Sequence, residues 1–393
     1  MTLPIVSMWL IFRLLTSIIV ALGSHIRPST LLEQTISILP PSAPIAVWLE
    51  RVFLTPWLRW DANWYVQIVE HGYRAADGSA QFHPLYPWAA SIISSIGIHP
   101  LLSLLVISSI SGLGFLLIYY RLAKIDLSAQ DSRFSIILIL LTPPAFVLFA
   151  PYSESLFLLC AAGCLFLTRI KRWWLAGLAG ALAVLTRQQG LILLFPLAWE
   201  LWEASDRSLP RVKQTWRSWL AICLIPVSYL VWTAYRLYAL NDLAPNLSSL
   251  HDSIFSILIS PSAIEVVPQQ HFTWPWLALG LAIQKLIASP DLDLWVNITS
   301  AVFFLTLLLL SWKALKPAYR LYAVLITLIS FSYSTGMVHP YMGLPRHLFL
   351  AFPVFIFAAP KLNRPVWGPL IISLLSIAYL FTILIYSLET WVP

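Results

Sequence analysis

Apolar runs dominate the chain, and the polar residues between them are few and clustered. The first run covers residues 4–23; others follow at 84–97, 100–121, 134–150, 152–168, 173–202, 218–240, 294–312, 317–335, 346–360 and 366–388. A helix crossing a bilayer needs about 20 apolar residues, so several runs are short spans and 173–202 is overlong. Thr186, Arg187, Gln188, Gln189 and Gly190 interrupt that overlong run. The interruption predicts two helical segments meeting at a polar break, which must line a cavity or be buried in protein. The pattern as a whole predicts an all-α polytopic membrane protein of about eleven spans. It forms one integral membrane domain over residues 1–393, with no internal repeat.

Two intervals depart from the pattern. Residues 24–83 make a long first loop with Pro40, Pro41 and Pro44 near its middle. It continues through an amphipathic piece (Ile45, Trp48, Leu49, Val52, Phe53) into the stretch 57–72. Wound as one helix, that stretch puts Trp57, Trp60, Trp64 and Ile68 on one side with Asp61 among them. Arg59, Asn63, Gln67 and Glu70 take the other side. Both pieces are expected to be helices lying in the plane of the interface. The second interval, 241–293, carries Trp274, Pro275 and Trp276 and a further candidate in-plane segment.

Composition sharpens this reading. The chain is 59% hydrophobic and 10% charged, with a mean hydropathy of +0.79, whereas a soluble domain is about a quarter charged. The net charge of +7 is no nucleic-acid signal, because the basic residues sit in short clusters between apolar runs. Those clusters are Arg121/Lys124/Arg133, Arg169/Lys171/Arg172, Arg207/Arg211/Lys213/Arg217, Lys313/Lys316/Arg320 and Lys361/Arg364. All can be cytoplasmic if residues 84–121 cross once and 173–202 goes out and returns. That arrangement puts Asp61, Tyr152, Glu154, Arg187 and the stretch from His339 to Arg346 on the opposite face. Residues 4–23 read as a retained helix, since Arg13 interrupts them and no basic n-region precedes them. Arg13 either faces the bundle interior or snorkels. The 19 Trp and 15 Tyr suit interfacial belts and sugar-stacking surfaces alike. Cys160, Cys164 and Cys223 lie in apolar runs and are expected to be small core residues.

A few polar residues could carry chemistry. A carboxylate inside an aromatic stripe, as at Asp61, is costly unless a charge or donor meets it. Asp is also a favoured N-cap, which would start a helix at Ala62. Trp64 stands where a capping box needs Glu or Gln, so a functional carboxylate is preferred. Glu154 is either a solvated loop acid or part of a site. Arg187 serves a structural ion pair or a phosphate contact. His339, Tyr341, Arg346 and His347 share one turn between spans with Pro340 and Pro345, a candidate anion site. GxSxG, HExxH and GxxxxGK[ST] do not occur. Asp291 and Asp293 resemble a metal-binding DxD, but two acids before a span are usually only solvated.

Trp60 and Asp61 with Tyr65, Gly72, Tyr73, Phe82, His83, Tyr86 and Pro87 resemble the signature of the PIG-V family of mannosyltransferases. So do Tyr152 and Glu154, Thr186 and Arg187 with Gly190, and Arg346 followed by Phe352 and Pro353, in family order across most of the chain. The resemblance implies a GT-C-type multi-span bundle with a large non-cytoplasmic first loop. Such a protein is an inverting glycosyltransferase that moves one sugar from a polyprenyl-phosphate carrier to a lipid-linked or glycan acceptor. Its site would face the periplasm or lumen, in a bacterial plasma membrane or the endoplasmic reticulum. The family's base maps onto Asp61; Trp60, Tyr65, His83, Tyr86, Tyr152, Glu154, Arg187, His339 and Arg346 are the substrate-binding expectations. No cofactor is implied, and the need for a divalent metal is left open. His83 stands where an aromatic residue is expected, and Gln188 and Gln189 where Asn precedes Gly; both departures bear on the acceptor. The rivals are a transporter or flippase of a lipid-linked sugar and a non-catalytic subunit of the same fold. The lack of an inverted repeat speaks against the transporter, and the intact Asp61 against the subunit.

Overall fold

The computed structural model describes residues 3–26, 38, 44–74, 77–240, 271–334 and 340–388. Helices account for most of it. The first half holds α1 (Leu3–Ile26), α2 (Pro44–Phe53), α3 (Asp61–His71), α4 (Leu85–Ser94), α5 (Pro100–Ala123), α6 (Ala129–Leu141), α7 (Glu154–Arg169) and α8 (Trp173–Thr186). The second holds α9 (Leu194–Ala204), α10 (Leu209–Gln214), α11 (Trp216–Tyr238), α12 (Pro275–Ala288), α13 (Leu292–Ser311), α14 (Pro317–Ser332), α15 (Leu344–Phe349), α16 (Pro353–Leu362) and α17 (Trp367–Ser387). One two-residue antiparallel pair, β1 (His271–Phe272) on β2 (Tyr333–Ser334), matches His271 with Ser334.

Proline sets many of the boundaries. It occupies the first turn of α5, α12, α14 and α16, where its missing N–H costs nothing. Pro143 and Pro144 stop α6 at Leu141, and the apolar run continues as a 3-10 turn over Pro143–Leu148. Every predicted apolar run contains a helix, but the lengths differ from the expectation. Among the described residues, α1, α5, α11, α13 and α17 are long and apolar enough to cross a membrane. The others are shorter, and the run 346–360 splits between α15 and α16 ahead of Pro353.

The overlong run breaks where expected. α8 ends at Thr186, a 3-10 turn spans Gln188–Leu193, and α9 begins at Leu194. Gly190 makes the break compact, because a Cβ there would overlap the backbone of Ala183 and Val184. Gly190→Ala should therefore displace the Arg187 turn. A fall in the melting temperature of the purified protein, with weaker anion binding, is the expected reading; an unchanged melting curve would refute it.

The basic clusters gather at one end of the bundle. Asp126 there accepts Lys316 at 2.6 Å and Arg169 at 3.4 Å. Asn363 donates to Asp131, and Lys361 to the Leu310 carbonyl. α7 starts at Glu154 and ends at Arg169 in this basic end, so its 16 residues separate the two ends by roughly 24 Å. Arg13 is resolved in favour of the interior: Nη1 donates to the Phe149 carbonyl at 3.0 Å, with the guanidinium over the Trp57 ring.

The stretch 57–72 is not one helix. A 3-10 turn over Thr55–Trp57 ends at Leu58, and α3 begins only at Asp61. Arg59, expected on a polar face, is buried and donates to the Tyr386 carbonyl. That anchor turns the chain, and Trp60 takes up the turn at φ +46°, a left-handed conformation unusual for an aromatic residue. Trp57 and Trp60 nevertheless both pack on Tyr386, with ring centroids 5.7 and 5.3 Å away, Trp57 buried and Trp60 partly exposed.

Candidate active site

Four charged side chains meet at the end opposite the basic clusters. Arg346 Nη1 lies 2.9 Å from Asp61 Oδ2 and 3.6 Å from Glu154 Oε1. Arg187 Nη1 lies 2.9 Å from the same Glu154 oxygen and 3.1 Å from Ser153 Oγ. Two carboxylates and two guanidiniums thus form one chain, from Asp61 through Arg346 and Glu154 to Arg187.

Local structure explains why each charge is tolerated. Asp61 and Glu154 are the first helical residues of α3 and α7, where the positive end of a helix favours an anion. Arg187 caps the C-terminal end of α8, where a cation is favoured. Arg346 lies in α15, entered through Gly343 at φ +71°; a Cβ on that glycine would come within 3.0 Å of the guanidinium. Burial opposes the charge on Arg346, but Asp61 and Glu154 outweigh it and raise its pKa. Trp60 takes the N-cap position and Asp61 the first helical one, so the N-cap alternative is not the place of Asp61 in this helix.

Exposure separates the two acids. The Asp61 side chain is 27% exposed and can meet a ligand, whereas Glu154 is 0% exposed behind the arginines. Tyr152 packs beneath Arg346, its ring centroid 5.1 Å from the guanidinium carbon. Tyr65 lies between Phe82 and Tyr86, with Ser153 as a hydrogen-bond partner.

Other sequence expectations are placed further back. Tyr86 is fully buried, bonded to Ser108 at 2.7 Å and donating to the Leu104 carbonyl, behind Tyr65. His83 Nδ1 donates to the Val184 carbonyl at 2.5 Å, against Tyr229 and Trp232. Burial pushes its pKa down to about 3, so the ring is neutral and braces the turn before Arg187. His339 lies outside the described residues. Asp291 caps α13 through the Leu294 N–H and pairs with Lys285, while Asp293 accepts from Asn297.

His347, part of the candidate anion site but not among the substrate-binding expectations, lies beside Arg346 in α15. It is buried against Tyr333, and burial together with Arg187 and Arg346 drives its pKa well below the usual imidazole value. Its adjacency to Arg346 was the available signal. Nothing in the pattern of Arg59, by contrast, distinguished it from a solvated residue.

The family model described as Mannosyltransferase (PIG-V) matches residues 3–238. That stretch includes Asp61, Glu154 and Arg187 and stops short of Arg346. No curated protein matches the chain. Among solved structures it is similar to ArnT from Cupriavidus metallidurans in the apo state, at 16% identity and a TM-score of 0.47, covering 76% of this chain and 53% of that one. ArnT bound to undecaprenyl phosphate gives a TM-score of 0.45 at 16% identity, covering 76% and 54%. The oligosaccharyltransferase of Archaeoglobus fulgidus tethered to an acceptor peptide gives 0.46 at 15% identity, covering 97% and 56%. The chain spans about half the length of these solved chains.

Proposed function

The chain belongs to the PIG-V mannosyltransferase family, and we propose that it is a GT-C-type inverting glycosyltransferase using a polyprenyl-phosphate sugar. The observation that carries this reading is the partly exposed Asp61 paired with Arg346, which Glu154 links to Arg187, at one end of a membrane bundle. Displacement at an anomeric carbon needs a base for the acceptor hydroxyl and fixed positive charge for the departing phosphate. Asp61 takes the hydroxyl proton as the acceptor oxygen bonds to the anomeric carbon. The bond from that carbon to the phosphate oxygen breaks, and its electron pair leaves on polyprenyl phosphate beside Arg187 and Arg346. Attack opposite the leaving phosphate inverts the anomeric centre. The acceptor is a lipid-linked sugar or glycan that reaches the same membrane surface.

The test is incubation of purified protein in detergent with labelled polyprenyl-phosphate mannose and candidate acceptors. Transfer is expected from the lipid-linked donor and not from a nucleotide sugar in a carrier-free system. Efficient use of GDP-mannose by the pure protein would overturn the proposal.

The proposed face is periplasmic or luminal, from the gathering of the basic clusters at the other end. Single cysteines replacing Arg74 and Lys213, in a background lacking Cys160, Cys164 and Cys223, should react with an impermeant thiol reagent from opposite sides. Labelling of position 74 only from the cytoplasm would reverse the assignment.

A further inference from the structure

The four-charge chain contains an imbalance that the transfer reaction alone does not explain. Asp61, the group that must take a proton, is engaged by Arg346 at 2.9 Å. Its charge is neutralised and one oxygen is occupied, which is the wrong state for a base. The same Nη1 stands 3.6 Å from Glu154 Oε1. A shift of under about 1 Å would bring it into charge-assisted hydrogen-bond range of that second acid. Glu154 has room for it: both carboxylate oxygens are buried without a hydrogen bond of good geometry, Arg187 being the nearest cation. A carboxylate offers about four acceptor sites, so Glu154 can hold both guanidiniums. Being 0% exposed, it cannot itself reach a substrate.

We propose that Glu154 is a positioning residue that receives Arg346 when the donor phosphate binds, and so releases Asp61 for the acceptor hydroxyl. This rests on the transferase reading above and adds an order to it: donor first, acceptor second. Before binding, two acids and two arginines balance. The donor phosphodiester draws Arg346 away from Asp61 and toward the anion, and Glu154 keeps the guanidinium compensated on its protein side. No proton moves in this exchange. The proton transfer follows, from acceptor to Asp61. The charged and titratable groups around Asp61 fit such an exchange, since the rest cannot substitute for Glu154. Burial holds Tyr65 and Tyr152 as neutral phenols, Arg59 is anchored on the Tyr386 carbonyl, and the His347 imidazole is buried neutral against the arginines.

The experiment compares Glu154→Gln, Glu154→Asp and Asp61→Asn in the purified protein, with kcat and the donor KM measured separately and normalised to folded protein. Glu154→Gln keeps the size and removes the charge, leaving Arg346 on Asp61. It should lower kcat by about tenfold or more while the donor KM stays within about threefold. Glu154→Asp keeps the charge and should recover part of kcat; a packing role would instead favour Gln over Asp. The proposal is overturned if Glu154→Gln keeps kcat, or if it raises the donor KM with kcat unchanged, which marks direct substrate contact. If Asp61→Asn abolishes transfer in the same assay while Glu154→Gln is normal, only the positioning role falls. If Asp61→Asn itself turns over normally, the transferase mechanism falls and takes this proposal with it.

Discussion

Asp61→Asn is expected to lower turnover by ~10²–10⁴-fold, the range that general-base catalysis usually supplies. The substitution keeps the size of the side chain and an oxygen that accepts from Arg346, and removes only proton acceptance. Folding should survive, because Arg346 retains Glu154 nearby and no helix cap is lost. The melting temperature in detergent should therefore move little while transfer from labelled polyprenyl-phosphate mannose collapses. A variant that folds normally and keeps near-full turnover would remove Asp61 as the base. The lipid-linked sugar transporter would then be the better reading of the same charges.

Arg346→Ala should damage the protein as well as the reaction. Among the described residues, no other cation forms an ion pair with Asp61, whereas Glu154 still has Arg187. Removing one partner of a buried ion pair typically costs about 3–5 kcal/mol, because the remaining charge is left in a poor solvent. Asp61 is partly exposed, which puts the expected loss at the lower end of that range. Transfer should fall with it, since the departing phosphate loses one of its two arginines. Arg346→Lys keeps the charge and loses the planar fork, so it should be intermediate in both properties. Thermal melting and donor turnover of the three proteins check this. Equal stability of Arg346→Ala and the unaltered protein would mean that the pair with Asp61 does not form.

Much of this arrangement was legible in the sequence, for reasons that can be stated residue by residue. Charge is so scarce in a bilayer-soluble chain that Asp61, Glu154, Arg187 and Arg346 stand out against their apolar surroundings. The five basic clusters located one end of the bundle by the same scarcity. The break at Arg187 followed from polar residues that cannot be left facing lipid, whereas the split ahead of Pro353 was not read from the apolar run 346–360.

What was not legible depended on partners remote in sequence. Arg59 looked like part of a solvated stripe because its acceptor, the Tyr386 carbonyl, is 327 residues away. Helical periodicity predicted one continuous element through Trp60, and a tertiary anchor overrode that local preference. Arg13 left two readings open until Phe149 supplied a carbonyl. Periodicity reads which face of a helix is apolar, and it is silent on which distant backbone atom a buried guanidinium finds.

The pairing of Asp61 with Arg346 also bears on how the protein is made. The two residues are 285 positions apart, so nearly the whole chain must be inserted in the membrane before their contact can form. During synthesis α3 and α7 enter first, carrying both acids without Arg346, and the site stays incomplete until α15 arrives. Contacts of such long range are slow to form, and the earlier helices must wait for them. A nascent or truncated chain ending before residue 346 would hold both acids and lack one of the two arginines, so an unfinished protein cannot assemble the four-charge cluster.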